Sequence, residues 1–262
     1  MRKVFVLLLV LGVTSGAFSA SVVQDLVKST SARAANAPNS QDWFLAANWG
    51  GNANVGTPGI PQNDTATLCN GATMYGSAAT AYTPISAVDA IEIRTGTAEV
   101  GQLRVGSNTA TTAGVPAALA MYSGTLNVGN SSSGLHSSGF FSIGSDSATA
   151  GTNGRNGLFY MNGGTVNAMY GQGNIVVGNG NNNLLCTNYG KMFMSGGTVN
   201  ALNLIISRYA GSTGELYLSG GTININTLAI RPNAPLPGST QTQTAKLDIT
   251  GSGKVVVTGD IT

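Results

Sequence analysis

The residues of this chain that could carry acid–base or nucleophilic chemistry are few and widely separated. His136 is the only histidine among 262 residues, and it lies in the polar Ser/Gly segment 131–138. A catalytic triad needs the imidazole between a nucleophile and a carboxylate, and the spacing around His136 indicates neither partner. We therefore expect His136 to lie in a surface loop.

Two carboxylates come nearest to a general acid–base pair. Glu92 and Glu99 are close in sequence, with Arg94 and Arg104 nearby. Glycoside hydrolysis needs two carboxyl groups on one face. Here the alternation places them on neighbouring strands, where solvated outer-face ion pairs with the arginines are expected instead. The sequence therefore predicts no enzyme activity and no cofactor, and a polysaccharide-acting β-helix enzyme is the least favoured alternative.

Metal chemistry has equally little support. Cys69 and Cys186 are the only cysteines, and neither has the Cys or His neighbours of a metal site. In an oxidising compartment they could pair, but two separate buried thiols are the preferred interpretation. Calcium-binding solenoid repeats need an Asp at the turn, where this chain carries Thr. We expect no metal site.

The composition excludes several classes of protein. Only 8% of the residues are charged, which argues against a typical cytosolic enzyme, and 37 are Gly. Gly, Asn, Thr and Ser are poor in helix interiors, so a helical protein is not expected. Without Arg2 and Lys3, 10 of the 12 basic residues remain against 10 acidic ones. A chain without an excess of positive charge cannot neutralise the phosphates of a nucleic acid, so we expect no nucleic-acid partner.

The N-terminus has the pattern of a secretory signal peptide. Arg2 and Lys3 precede an apolar run at 4–13, and small residues follow at 16–20. We assign residues 1–19 to a signal peptide and expect a secreted or cell-surface protein. No second apolar run follows, so we expect no membrane span in the mature chain.

A repeat supplies most of the information about the fold. An apolar alternation, a Gly turn and a Thr–apolar–Asn strand recur in order, and a third apolar alternation follows each copy. The clearest copies occupy 119–128, 159–168, 192–201 and 216–225. Three short strands cannot bury their apolar face alone, but stacked coils bury it continuously. The sequence predicts an all-β, right-handed, three-sided parallel β-solenoid of about six coils over 91–262.

Alignment of the copies predicts columns of equivalent residues. Three inner columns are Leu119/Phe159/Met192/Leu216/Leu247, Met121/Met161/Met194/Leu218/Ile249 and Leu126/Val166/Val199/Ile223, and a fourth is Leu103/Phe141/Ile175/Leu204/Leu228. Two polar outer ladders are Thr125/Thr165/Thr198/Thr222 and Asn127/Asn167/Asn200/Asn224. Lys191, Glu215 and Lys246 share a further outer column. Stacked Asn side chains can hydrogen-bond to one another, as in cross-β structures.

A different module precedes the repeats. Residues 20–40 are predicted to be a flexible lead, and residues 41–90 an N-terminal cap over the open core. Both tryptophans, Trp43 and Trp49, fall in this cap region, where we expect them to plug the core. A sugar-stacking platform is the alternative role for this pair.

The order of these motifs resembles a known family. Trp43, Asn48-Trp49, a proline, Asp64-Thr65-Ala66 and Gly-Gly-Thr-Val repeats look like the secreted bacterial β-helix proteins with autotransporter-like repeats. The resemblance covers about residues 42–262. Such proteins often carry C-terminal sorting signals, whereas the repeat here runs to Thr262. The resemblance implies a cell-surface or extracellular-matrix role without a catalytic set.

The expected function is therefore that of a non-catalytic structural protein. Val22, Val23 and Leu26 are apolar enough to add as a strand to the Ile261 end of another copy, so self-association head-to-tail into filaments is expected. The alternative is a glycan-binding or adhesin-type module that uses the Thr and Asn ladders, or the stacked loops, to contact a cell-surface glycan. The same ladders could instead meet an ice lattice.

Overall fold

The computed structural model describes residues 91–106, 117–129, 139–144, 155–180, 188–231 and 242–262, with two earlier strands, Val23–Leu26 and Thr65–Leu68. Every pairing between the described strands is parallel. The strands in chain order are β1 (Val23–Leu26), β2 (Thr65–Leu68), β3 (Ile91–Ile93), β4 (Thr97–Val100), β5 (Gln102–Val105), β6 (Ala117–Met121), β7 (Thr125–Val128), β8 (Phe140–Ile143), β9 (Arg155–Met161), β10 (Thr165–Ala168), β11 (Asn174–Val177), β12 (Asn188–Met194), β13 (Thr198–Ile206), β14 (Ser212–Leu218), β15 (Thr222–Ile230), β16 (Thr244–Ile249) and β17 (Lys254–Val257).

The strands stack as the successive coils of a parallel β-solenoid. One sheet holds the first strand of each coil in the order β3-β6-β9-β12-β14-β16, so the described strands of this sheet define six coils. The second strands run β4-β7-β10-β13 and continue through β15 to β17. The third positions run β5-β8-β11 and then the C-terminal halves of β13 and β15. The predicted parallel β-solenoid is confirmed.

The second and third sides merge in the later coils. We expected separate short strands, but β13 and β15 each run for nine residues through both positions. In these coils a single residue, Leu202 or Asn226, stands where the earlier coils have a corner. The two sides consequently belong to one sheet.

The core lies inside the stack and follows the predicted columns. The strand registers place Met121, Met161, Met194 and Leu218 opposite one another on successive coils, and each is at most 1% exposed. Period-2 alternation puts every second side chain inside, so each coil adds a layer to one continuous cluster. The sixth coil is the exception, because Ile249 at its inner position is 46% exposed.

The turn between the first two strands depends on glycine. Gly197, which follows Ser195-Gly196, has a φ of 87°, and a Cβ there would lie 2.7 Å from the carbonyl oxygen of Gly164 in the coil below. Only a residue without a side chain accepts both conditions at low cost. The second glycine of the Gly-Gly pair in coils three to five therefore lets each of these coils turn tightly over the previous one.

A second column of small residues closes the opposite corner. Gly157, Gly190 and Gly214 are in register on β9, β12 and β14. A Cβ on Gly190 would collide with the carbonyl oxygen of Ile143, which ends the third strand of an earlier coil. The start of the first strand of a coil can therefore lie close to the end of a third strand only where the residue at this inward-facing position has a small side chain or none.

The N-terminal strands extend the third side. β1 pairs with β2, and β2 pairs with β5, so Val23–Leu26 is a strand although we expected it within a flexible lead. Several sequence predictions lie outside the described residues: the signal peptide, the Trp43 and Trp49 plug, Val22, both cysteines and His136.

Candidate functional site

One outer face of the solenoid carries the two predicted polar ladders. Their eight residues, here called the ladder face, lie on β7, β10, β13 and β15, and the registers place them opposite one another as expected. Each is partly exposed, while the residues between them point into the core. The ladder face consists of Thr125, Thr165, Thr198, Thr222, Asn127, Asn167, Asn200 and Asn224.

The asparagines form a continuous chain of side-chain hydrogen bonds. Asn224 donates its Nδ2–H to Oδ1 of Asn200 over 3.0 Å, Asn200 donates to Asn167 over 2.9 Å, and Asn167 donates to Asn127 over 3.0 Å. Every amide therefore points the same way along the solenoid axis. Asn127 donates in turn to Oε1 of Glu99 over 3.4 Å, so the carboxylate of Glu99 in the first coil is the final acceptor in this series of hydrogen bonds.

Charge is confined to the two ends of this face. Glu99 occupies the Asn position in the first coil, and Lys254 and Val256 occupy the Thr and Asn positions in the sixth. The four coils between them present only neutral hydroxyl and amide groups at the ladder positions. Within the described part of the chain, no hydrogen bond joins one threonine hydroxyl of the face to another.

The ladder face is bordered by short corners in coils three to five. Asn162–Gly164, Ser195–Gly197 and Ser219–Gly221 form one border, and β13 and β15 pass the other border without interruption. The third coil adds only residues 169–173 there, where Met169 is 44% and Tyr170 47% exposed. The side chain of Tyr170 makes no hydrogen bond or ring contact with the described residues.

The outer face of the first-strand sheet carries a second ladder, which is aromatic. Tyr160, Phe193 and Tyr217 are in register, with ring centroids 5.2 and 5.1 Å apart and interplanar angles of 10° and 7°. We missed this column because Ala120 and Asp248 occupy it in the flanking coils. Aligning the residue before the last of each first strand would have found it.

Charged groups flank the aromatic stack and neutralise one another. Lys191 Nζ lies 2.7 Å from Glu215 Oε2, and the hydroxyl of Tyr217 donates to the same carboxylate over 2.6 Å. The predicted column of Lys191, Glu215 and Lys246 exists, but Lys246 pairs with Asp248 over 3.2 Å. Lys246 Nζ also lies 4.4 Å from the Tyr217 ring centroid and covers the last ring of the stack.

The pKa values of two groups in this cluster, Lys191 and Tyr217, are raised. Burial acts to lower the pKa of Lys191, but its hydrogen bonds to Glu215 and Tyr189 outweigh burial and raise that pKa above its ordinary value. The hydrogen bond to Glu215, followed by burial, raises the pKa of the Tyr217 phenol. Both groups therefore hold their protons more tightly in the fold than in water.

The two candidate carboxylates are not brought together. Glu92 lies on β3 in one sheet and Glu99 on β4 in the other, so they face outward from different sides. Glu92 is only 6% exposed, which corrects the expectation of a solvated pair, and it accepts from Arg94 Nε over 2.6 Å. Arg104 contacts Gln102 over 3.4 Å.

Other chemistry finds little support in the described ranges. No three Asp, Glu, His or Cys side chains within them gather closely enough to hold a metal ion. None of the described residues forms a helix that is long and apolar enough to span a membrane. Comparison with protein-family models, with curated proteins and with solved structures finds no match to this chain.

Proposed function

We propose that this protein is a non-catalytic structural component of a cell surface or extracellular matrix. The observation that carries the proposal is that the outer faces hold the coils together. The Asn chain joins coils one to five on one face, and the stacked rings join coils three to five on another. A stiff, repetitive shaft is suited to support and display rather than to turnover.

The N-terminal sequence supports export of such a shaft. The basic pair, apolar run and small residues of the first 20 positions are the pattern of a secretory signal peptide. A low charged fraction of 8% agrees with a protein that works in an assembled layer rather than as a freely diffusing enzyme. The resemblance to secreted bacterial β-helix proteins points the same way.

We also infer that copies associate end to end through the sixth coil. β16 and β17 each pair with only one of the described strands, so each presents an unpaired backbone edge beside apolar side chains. Ile249 is 46% and Ile261 69% exposed, whereas Met194 and Leu218 on earlier coils are buried. A second copy is the occupant that we assign to this end, because β1, β3 and β4 at the opposite end also pair with only one of the described strands each and run in the matching direction.

The structure changes the expected route of this association. Val23 and Leu26, which we expected to add to a neighbouring copy, lie in β1, which pairs with β2 of its own chain. A neighbour would therefore meet the outer edge of β1 rather than capture a free segment. Contact between unlike ends generates open filaments unless the rotation closes a ring.

Fractionation of the source cells tests the proposal. The expected result is recovery of the protein from the surface or matrix fraction, with Ala20 at its N-terminus. The purified protein is also expected to release neither reducing ends nor unsaturated products from acidic and neutral polysaccharides. Recovery from the cytosol with Met1 intact, or hydrolysis abolished by Glu92→Gln or Glu99→Gln, would overturn it.

A further inference from the structure

The ladder face has the properties of a preorganised binding surface. Hydrogen bonds of 2.9–3.0 Å between neighbouring amides restrain Asn127, Asn167, Asn200 and Asn224 in one orientation. The adjacent threonines are β-branched and therefore stiff at χ1. A ligand that binds here does not have to order flexible side chains, which is one of the main costs of association.

The groups on this face also repeat in two directions. Neighbouring coils place like residues about 4.8 Å apart, and Thr and Asn on one strand are about 6.6 Å apart. Asn127, Asn167 and Asn200 each use one N–H and one acceptor site on the oxygen, and Asn224 uses one N–H, so every ladder amide keeps a second N–H and at least one lone pair. A regular, open array of this kind fits an extended polymer with repeating hydroxyl groups better than a single small molecule.

The lack of charged side chains on the ladder face in coils two to five favours a neutral polymer as the ligand. Its eight ladder residues are neutral, and ionised groups appear only at the ends, with Glu99 in the first coil and Lys254 in the sixth. An anionic polysaccharide would find no row of cations in coils two to five at these positions. A neutral polysaccharide can exchange its hydrogen bonds with water for bonds to the face without burying an unpaired charge.

An exposed aromatic residue lies at the border of the same face. Tyr170 follows Asn167 by three residues and is 47% exposed, and Met169 beside it is 44% exposed. The rings of Tyr160, Phe193 and Tyr217 cover one another, whereas the ring of Tyr170 contacts no other ring in the described part of the chain. Aromatic side chains combine a large apolar surface with a polar tip, which suits the C–H face and hydroxyl rim of a sugar.

We propose that the ladder face binds an extended neutral polysaccharide, with the Thr and Asn side chains hydrogen-bonding its hydroxyl groups and Tyr170 stacking against a sugar ring at the border. This inference goes beyond the structural function and does not depend on end-to-end association. A surface protein with such a face would attach to polysaccharide along its side.

Depletion binding of the full chain to insoluble cellulose, chitin and β-1,3-glucan, with alginate as the anionic comparison, tests the proposal. Thr198→Arg places a long charged side chain in the middle of the face and is expected to weaken binding by about tenfold or more, as a loss of about 1.4 kcal/mol produces. Thr213→Arg is the matched control, because Thr213 is partly exposed on β14 in the other sheet. Tyr170→Ala is expected to weaken binding severalfold, and melting temperatures show that each variant is folded.

Four results would overturn the proposal. The first is no binding of the unaltered protein to any of the three neutral polymers. The second is an equal effect of Thr198→Arg and Thr213→Arg on binding, and the third is a preference for alginate. The fourth is inhibition of ice recrystallisation that Thr198→Arg abolishes, without polysaccharide binding. If Tyr170→Ala binds the polysaccharide with unchanged affinity, the proposed stacking of Tyr170 against a sugar ring is wrong.

Discussion

Asn200 donates its side-chain N–H to Oδ1 of Asn167 over 2.9 Å and accepts the N–H of Asn224 over 3.0 Å. Its amide therefore joins three successive coils outside the core. Repetition of this relationship ties the surface of the solenoid together in the same direction as the backbone ladder. The outer face thus contributes to the stiffness on which the proposed function depends.

Removal of this amide is expected to weaken the stack. Asn200→Ala loses two side-chain hydrogen bonds, and we expect the free energy of unfolding to fall by about 1–2 kcal/mol. Urea denaturation followed by circular dichroism measures the change. Asn226→Ala is the control, because Asn226 is exposed and its side-chain bonds are long, at 3.5 and 3.4 Å. Equal losses in the two variants would contradict the role of the ladder.

Met194→Asp is expected to unfold the central coils. Met194 is 1% exposed, so its replacement buries a carboxylate without a partner, and we expect a loss above about 4 kcal/mol. Met194→Leu preserves volume and is expected to cost less than about 1.5 kcal/mol. Far-ultraviolet circular dichroism and melting temperature distinguish the two, and an unchanged melting temperature in Met194→Asp would refute the inner column.

The glycine column at Gly157, Gly190 and Gly214 predicts that an added methyl group destabilises the fold by steric clash. Gly190→Ala drives a Cβ against the carbonyl oxygen of Ile143, and we expect a loss of about 3 kcal/mol. Ala117 occupies the same column in the second coil and already carries a Cβ there. Ala117→Gly is therefore the matched control, with an expected loss of about 1 kcal/mol or less. Similar denaturation midpoints for the two variants would exclude close contact at this corner.

The charged cluster predicts a loss of stability in alkali. The pKa values of Lys191 and Tyr217 are raised above 10.5 and 10.0, so the folded protein retains protons that the unfolded chain releases. Their contribution is complete below those ordinary values and is lost as the pH rises through the folded pKa values. Denaturation midpoints measured across alkaline pH check this. Tyr217→Phe should flatten the decline, and a steeper decline would contradict the assignment.

End-to-end association predicts sensitivity to charge at the sixth coil. Ile249→Lys combined with Ile261→Lys places two cations at the exposed apolar end, so we expect filaments or oligomers to dissociate while the melting temperature changes little. Analytical ultracentrifugation over a range of concentrations measures this. Met169→Lys is the control, because Met169 is also exposed, at 44%, but lies on the third coil, away from this end. A monomer at every concentration in the unaltered protein would rule out the association.

The inner columns were predictable because hydrophobic periodicity and fixed turn residues set the register. Leu126, Val166, Val199 and Ile223 align by the Gly-Thr that precedes them, and the structure places them opposite one another. The Asn ladder followed from the same alignment, since a parallel stack with no shift in register must bring identical residues together.

Other features depend on contacts that a single sequence does not display. Leu202 at the junction of β13 gives no signal that two strands merge there. The ion pair of Lys246 with Asp248 on its own strand competes with the column partner Glu215, which Lys191 and Tyr217 already engage. Burial of Glu92 likewise depends on packing around β3 rather than on the local pattern.

Immunogold electron microscopy of the source cells, with antibodies raised against the full chain, tests the central claim most directly. A structural protein of the cell surface or matrix is expected to give label outside the cell envelope, arranged along continuous extracellular material. Label confined to the cytoplasm would contradict the account.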